Sequence, residues 1–127
     1  MSVTYDAGAL VAGERNDRKM WALHAALLDL EISPNVPAPA LAQAWRGGSR
    51  QASLARMLKQ CHVEHMTEAQ ALAIGAVLAA SGTADVVDAA VVESARRLGH
   101  TVIVTSDPGD LGSIAAALGF EVTLEVP

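Results

Sequence analysis

Thr101-Val102-Ile103-Val104-Thr105-Ser106-Asp107-Pro108-Gly109-Asp110 passes from an unbroken β-branched run straight into a helix start. Val102-Ile103-Val104 shows no polar alternation, so it predicts a strand covered on both faces, as in the interior of a parallel sheet. Asp107 as N-cap and Pro108 at the first helical position predict a helix over Pro108 to Leu118. A strand that feeds a helix rather than a hairpin points to crossover connections.

The rest of the chain keeps this alternation. Residues 2–6 predict a short strand ending on Asp6, and Ala7 to Val11 a brief helical turn. A longer helix from Asn16 or Asp17 carries Met20, Leu23, Leu27 and Leu30 as its buried stripe and ends at Ser33-Pro34-Asn35. Val36 lies in a Pro-punctuated segment that predicts an edge strand. Helices follow over Ala40 to Trp45, broken by Gly47-Gly48, and from about Arg50 to Gln60. His62 to Met66 reads as a strand. Thr67 and Gln70 form a capping box for a helix that buries Ala71, Ile74, Gly75 and Leu78 and stops at Gly82. Thr83 can cap the next, which is apolar nearly all round at its start and runs to Leu98 before Gly99. A final strand covers Glu121 to Val126. The expected architecture is a three-layer α/β/α sandwich with a mainly parallel sheet.

The chain has 127 residues, 51% of them hydrophobic, enough for one domain over 1–127 with its own core. Cys61 is the single cysteine, and no signal segment or membrane-spanning apolar run is legible, so a cytoplasmic protein is expected. The net charge of −5 disfavours a non-specific nucleic-acid binder. Its distribution is uneven, however. No acidic residue lies between Glu31 and Glu64, where Arg46, Arg50, Arg56 and Lys59 all fall.

Asp6 and Asp107 end strands, on the rim where parallel sheets bind ligands. Asp85 and Asp88 stand one helical turn apart. Gathered carboxylates repel one another, and a hard cation such as Mg²⁺ or Mn²⁺ relieves the repulsion through oxygen ligands. That chemistry suits hydrolysis of a phosphodiester by a metal-activated water. Each acid also has a structural explanation: Asp6 and Asp107 as N-caps, Asp85 as a complement to a helix dipole.

Four segments carry a family resemblance: Tyr5-Asp6-Ala7-Gly8-Ala9-Leu10, Pro39-Ala40-Leu41-Ala42-Gln43-Ala44-Trp45-Arg46, Asp85-Val86-Val87-Asp88-Ala89-Ala90, and Val104 through Leu111. In that order they resemble a PIN-domain protein of the VapC toxin type. The resemblance implies a Mg²⁺- or Mn²⁺-dependent endoribonuclease, usually a homodimer, paired with a cognate antitoxin. It implies Asp6, Asp88 and Asp107 as metal-binding carboxylates, with Asp85 and Asp110 in support. The family generally has a glutamate where this chain has Gln43, whose amide can ligate a cation but brings no charge. Arg46 and Arg50 would place the RNA backbone, unless they form only a solvated face. Thr105 and Ser106 would donate hydrogen bonds to a ligand carboxylate or a water, unless they simply satisfy the strand end.

Two other functions compete. A catalytically weakened PIN-like domain that binds RNA or protein is motivated by Gln43. A phosphoacceptor signalling domain is disfavoured, because Lys19 and Lys59 both precede the late strands that would need a lysine. His62 and His65 face opposite sides of a strand, which makes a zinc site improbable. His24 reads as a helix residue at the edge of the core, and Trp21 and Trp45 as packing anchors.

Overall fold

The computed structural model describes residues 2–127. Its strands are β1 (Val3–Tyr5), β2 (Asn35–Pro37), β3 (His62–Glu64), β4 (Val102–Val104) and β5 (Thr123–Glu125). They form one all-parallel sheet in the order β3-β2-β1-β4-β5. The helices are α1 (Ala7–Glu14), α2 (Arg18–Asp29), α3 (Ala38–Ala44), α4 (Ala52–Leu58), α5 (Glu68–Ser81), α6 (Val86–Leu98) and α7 (Pro108–Ala117), with a 3-10 turn at Ser49–Gln51 before α4.

The chain builds outward from β1 to β3, then crosses back to lay β4 on the other side of β1. This reversal makes a switch point between the carboxyl ends of β1 and β4, the usual ligand crevice of an open parallel sheet. Period-2 alternation separates two cores. Val3, Tyr5, Val36 and Val104 pack with Leu10, Met20, Leu27, Leu54 and Met57 on one face. On the other, Ile103 meets α6 through Ala89–Val92 and Ala95, with Ile74, Val77, Leu111 and Ile114 around it. The three-layer sandwich matches expectation, whereas the apolar start of α6 does not bury: Val86 is exposed and Val87 half-buried, and burial begins at Ala89.

Several local expectations are corrected. Val36 is not on an edge, since β2 pairs with β1 on one side and β3 on the other. Pro34 and Pro37 instead bracket a strand short enough to lose few ladder bonds, and the Pro34 carbonyl still accepts the His62 N–H at 2.8 Å. Helix α5 turns Gln70, Ile74 and Val77 inward, leaving Ala71 and Gly75 exposed and Leu78 half-buried. It is apolar all round, so its periodicity selects no face. The amide of Gln70, donating to Glu64, Glu93 and Ser94 at 2.9–3.1 Å, selects it instead. Asp85, not Thr83, caps α6. Leu30 lies on the exposed side of the turn after α2, and Trp45 is 42% exposed rather than an anchor. Among the described residues no single helix is long and apolar enough to cross a membrane.

His24 is a core residue, 1% exposed, not an edge residue. Its Nδ1 and Nε2 lie 2.8 Å from the Tyr5 hydroxyl and 2.9 Å from Gln60 Oε1. Because Oε1 only accepts, Nε2 carries the proton and Nδ1 accepts from Tyr5. Burial holds the imidazole below its ordinary pKa, in keeping with a neutral ring. His24→Ala is expected to cost about 2–4 kcal/mol by leaving a cavity and an unpaired Tyr5 hydroxyl. Urea denaturation checks this: adding Tyr5→Phe to His24→Leu should recover most of the loss suffered by His24→Leu alone.

Candidate active site

The switch point is built by the two turns that leave β1 and β4. The Asp6 N–H donates to the Val104 carbonyl at 3.1 Å, carrying the ladder one step past the strands. The Asp6 carboxylate then caps α1 by accepting the Ala9 N–H at 2.8 Å. Across the crevice, the buried Thr105 hydroxyl accepts the Asp107 N–H at 2.9 Å and also supports the charge on Asp6. Thr105 therefore holds the turn after β4 and favours the charged form of Asp6 in the turn after β1. Gly8 allows them to close: a Cβ there would collide with Ser106 Oγ and stand 3.1 Å from the Ser106 backbone nitrogen.

Asp107 occupies the N-cap position of α7, yet its side chain makes no capping hydrogen bond. A purely structural cap would use that carboxylate. It is exposed and available instead.

The third contribution comes from α6. Asp85 caps that helix by accepting the Asp88 N–H at 3.0 Å. Asp88, in the first turn, is half-buried. A cleft of about 210 Å³ lies between α6 and α7, lined by Asp85, Asp88 and Asp110 with Thr83, Ser113 and Ile114. A larger groove of about 540 Å³ between α5 and α6, lined by Ala73, Ala76, Ala80, Glu93, Arg96 and Arg97 among others, includes none of these aspartates. The aspartates thus collect at the amino ends of α1, α6 and α7, where helix dipoles partly offset their charge.

The offset is incomplete. Asp88 is pushed up from 3.8 to about 6, chiefly by burial and then by the charges of Asp85, Asp110, Asp6 and Asp107. Asp6 is raised as well: burial outweighs the hydrogen bonds from Thr105, Ala9 and Gly8, and Asp107 adds repulsion. Among the described residues no lysine or arginine forms a salt bridge with these acids; the ion pairs join Arg97 to Glu64 and Glu93. Nor do three carboxylate, thiolate or imidazole groups stand close enough to hold one ion directly. The other acids act on Asp88 through their charge, at more than direct shared-ligand range.

Gln43 lies on the exposed side of α3 and makes no side-chain hydrogen bond among the described residues. Arg46 and Arg50 are exposed in the segment after α3, with Arg46 donating to the Trp45 carbonyl at 2.7 Å. Ser106 is exposed beside Gly8. Sequence reasoning missed a polar cluster at the sheet edge, where Glu64 takes Ser94 and Arg97 at 2.8 Å each. These donors hold Glu64 below its ordinary pKa despite partial burial. Only the i,i+4 spacing of Glu93 and Arg97 was readable locally.

No family model and no curated protein matches the sequence. Among solved structures, the chain is similar to one in the crystal structure of VapBC2 from Rickettsia felis bound to a DNA fragment from their promoter. The TM-score is 0.75 at 13% identity, covering 100% of this chain and 99% of that one. The PIN-like α/β/α sandwich expected from the sequence is therefore the fold of this chain, shared from end to end with that structure.

Proposed function

We propose that this chain is a Mg²⁺- or Mn²⁺-dependent endoribonuclease, the toxin of a toxin–antitoxin pair. The observation that carries this is Asp88, half-buried in one cleft with Asp85 and Asp110, where burial and then the charges of the neighbouring aspartates act on it with no salt-bridging lysine or arginine among the described residues. The donor set is carboxylate and hydroxyl oxygen, which suits a hard ion that retains several waters and takes one or two protein carboxylates. Asp6, Asp88 and Asp107 would hold it, one or two of them directly and the remainder through water, with Asp85 and Asp110 supporting through water as well. When bound, such an ion supplies charge neutralisation at a phosphate oxygen and activation of a water.

The residues of the chain do the remaining work. Thr105 orients Asp6 and Asp107 toward one crevice, and Gly8 keeps the two turns in contact. Asp85 holds the start of α6 so that Asp88 faces Asp110. Ion uptake near pH 6 is expected to release the proton that Asp88 otherwise retains. Arg46 and Arg50, exposed in the acid-free segment, would steer the RNA backbone. The antitoxin and a second copy of the chain are the partners we infer from the resemblance, and a cytoplasmic location follows from the same reading. The similar structure belongs to VapBC2 bound to DNA, which supports a protein partner.

A second reading has a specific motive. Gln43 brings no charge, so this domain would bind RNA or a protein partner without cutting. Total cellular RNA incubated with purified protein and Mn²⁺, with and without EDTA, separates the two. Cleavage that EDTA stops supports the enzyme, and RNA left intact supports the binding module. Gln43→Glu is expected to increase cleavage by about tenfold through tighter ion binding, within the usual range for groups around a metal site. No change in rate would show that α3 lies outside the chemistry.

A further inference from the structure

We propose that Gln51 is a positioning residue that fixes the basic turn after α3 against α1, holding Arg46 in place for an RNA backbone; this rests on the ribonuclease reading. Gln51 ends the 3-10 turn and is 3% exposed. Its Oε1 accepts the backbone N–H groups of Arg46 at 2.7 Å and Gly47 at 2.8 Å. Its Nε2 donates to the Ala44 carbonyl at 2.8 Å and to the Glu14 carboxylate. Two accepted and two donated bonds use every site an amide has.

The segment has little else to hold it. Gly47 and Gly48 turn the chain at φ +82° and +89°, a region open mainly to glycine, and both therefore add backbone freedom. Cations on a loose turn lose binding energy to the entropy of ordering it. Gln51 removes that freedom beforehand by gripping the turn on both sides of Trp45. A second tether runs parallel, from Ser53 Oγ to Asn16 Oδ1 at 2.8 Å. Both tethers end at the carboxyl end of α1, whose amino end is capped by Asp6. An eight-residue helix spans about 12 Å. Helix α1 is thus a short strut between the acid rim and the basic turn, and Gln51 joins the turn to the strut.

The test measures binding of a labelled single-stranded RNA by fluorescence anisotropy in the Asp88→Asn background, which prevents cleavage. Gln51→Leu is expected to weaken binding about tenfold and to flatten the salt dependence by about one unit of slope, as Arg46→Ala does. The two changes should not add when combined, because both remove one oriented cation. A mere folding role predicts full additivity with Arg46→Ala and an unaltered salt slope, and either result overturns the proposal. If the parent binds no RNA, the ribonuclease reading falls; binding that Gln51→Leu leaves intact removes only the role of Gln51.

Discussion

Asp6→Ala and Asp88→Ala are each expected to lower EDTA-sensitive RNA cleavage by about three orders of magnitude, while the proteins keep their far-UV spectra. Losses of this size follow when a group that holds charge at the reacting centre is deleted from a preorganised site. Asp85→Ala should cost less, since it acts through the α6 cap and the field at Asp88 rather than at the crevice itself. Thr105→Val should fall between them, because the hydroxyl accepts the Asp107 N–H and acts on the Asp6 charge. Wild-type cleavage by both Asp6→Ala and Asp88→Ala would remove the assigned site. Single-turnover rates on a defined RNA, with Mg²⁺ titrated for each variant, make the measurement.

The second large effect concerns stability and has an unusual sign. Asp88→Asn is expected to raise the melting temperature of the ion-free protein at pH 7.5, by roughly 3–6 °C. A carboxyl raised from 3.8 to about 6 binds its proton more tightly in the folded state. Its contribution favours folding below pH 4 and is lost as pH rises through 4 to 6, leaving a charged, crowded group above that. Solvent screening of a half-exposed side chain trims the size but not the sign. Glu64 works oppositely, its lowered pKa adding stability above about 4.5 that is lost on acidification. Comparing wild type with Asp88→Asn at each pH isolates the Asp88 contribution. The variant should lose its advantage at pH 4, and Mn²⁺ should stabilise wild type far more than the variant. Equal melting temperatures at pH 7.5 would show that the acids do not crowd Asp88.

The same linkage shapes activity. Cleavage is expected to decline as pH falls below about 6, where protonation of Asp88 competes with ion binding. A pH–rate profile at two Mg²⁺ concentrations checks it, the midpoint moving downward as the ion concentration rises.

Much of this was readable along the chain because the signals are local. The β-branched run at Val102–Val104, the cap at Thr67, Pro108 at the first helical position and the glycines at Gly82 and Gly99 each act within a few residues, and the elements they delimit match the structure. Errors cluster where partners are distant. Helix α5 is apolar all round, so only Glu64, Glu93 and Ser94 could tell which side turns in. His24 looked peripheral because Tyr5 and Gln60 are far away in sequence. Gln51 carried no motif at all, and its four partners lie on α1, on α3 and in the turn that follows α3.

By itself, the order of residues determined the alternation of strands and helices, the layered architecture and the placing of Asp6 and Asp107 at strand ends, since hydrophobic period and capping are decided by near neighbours. Only the tertiary structure decided that β4 lies beside β1, that α6 and α7 turn Asp88 and Asp110 toward one cleft, and that Asp107 leaves its capping position unused. Those outcomes depend on which surfaces, remote along the chain, bury each other best, and on the charge that accumulates when they do.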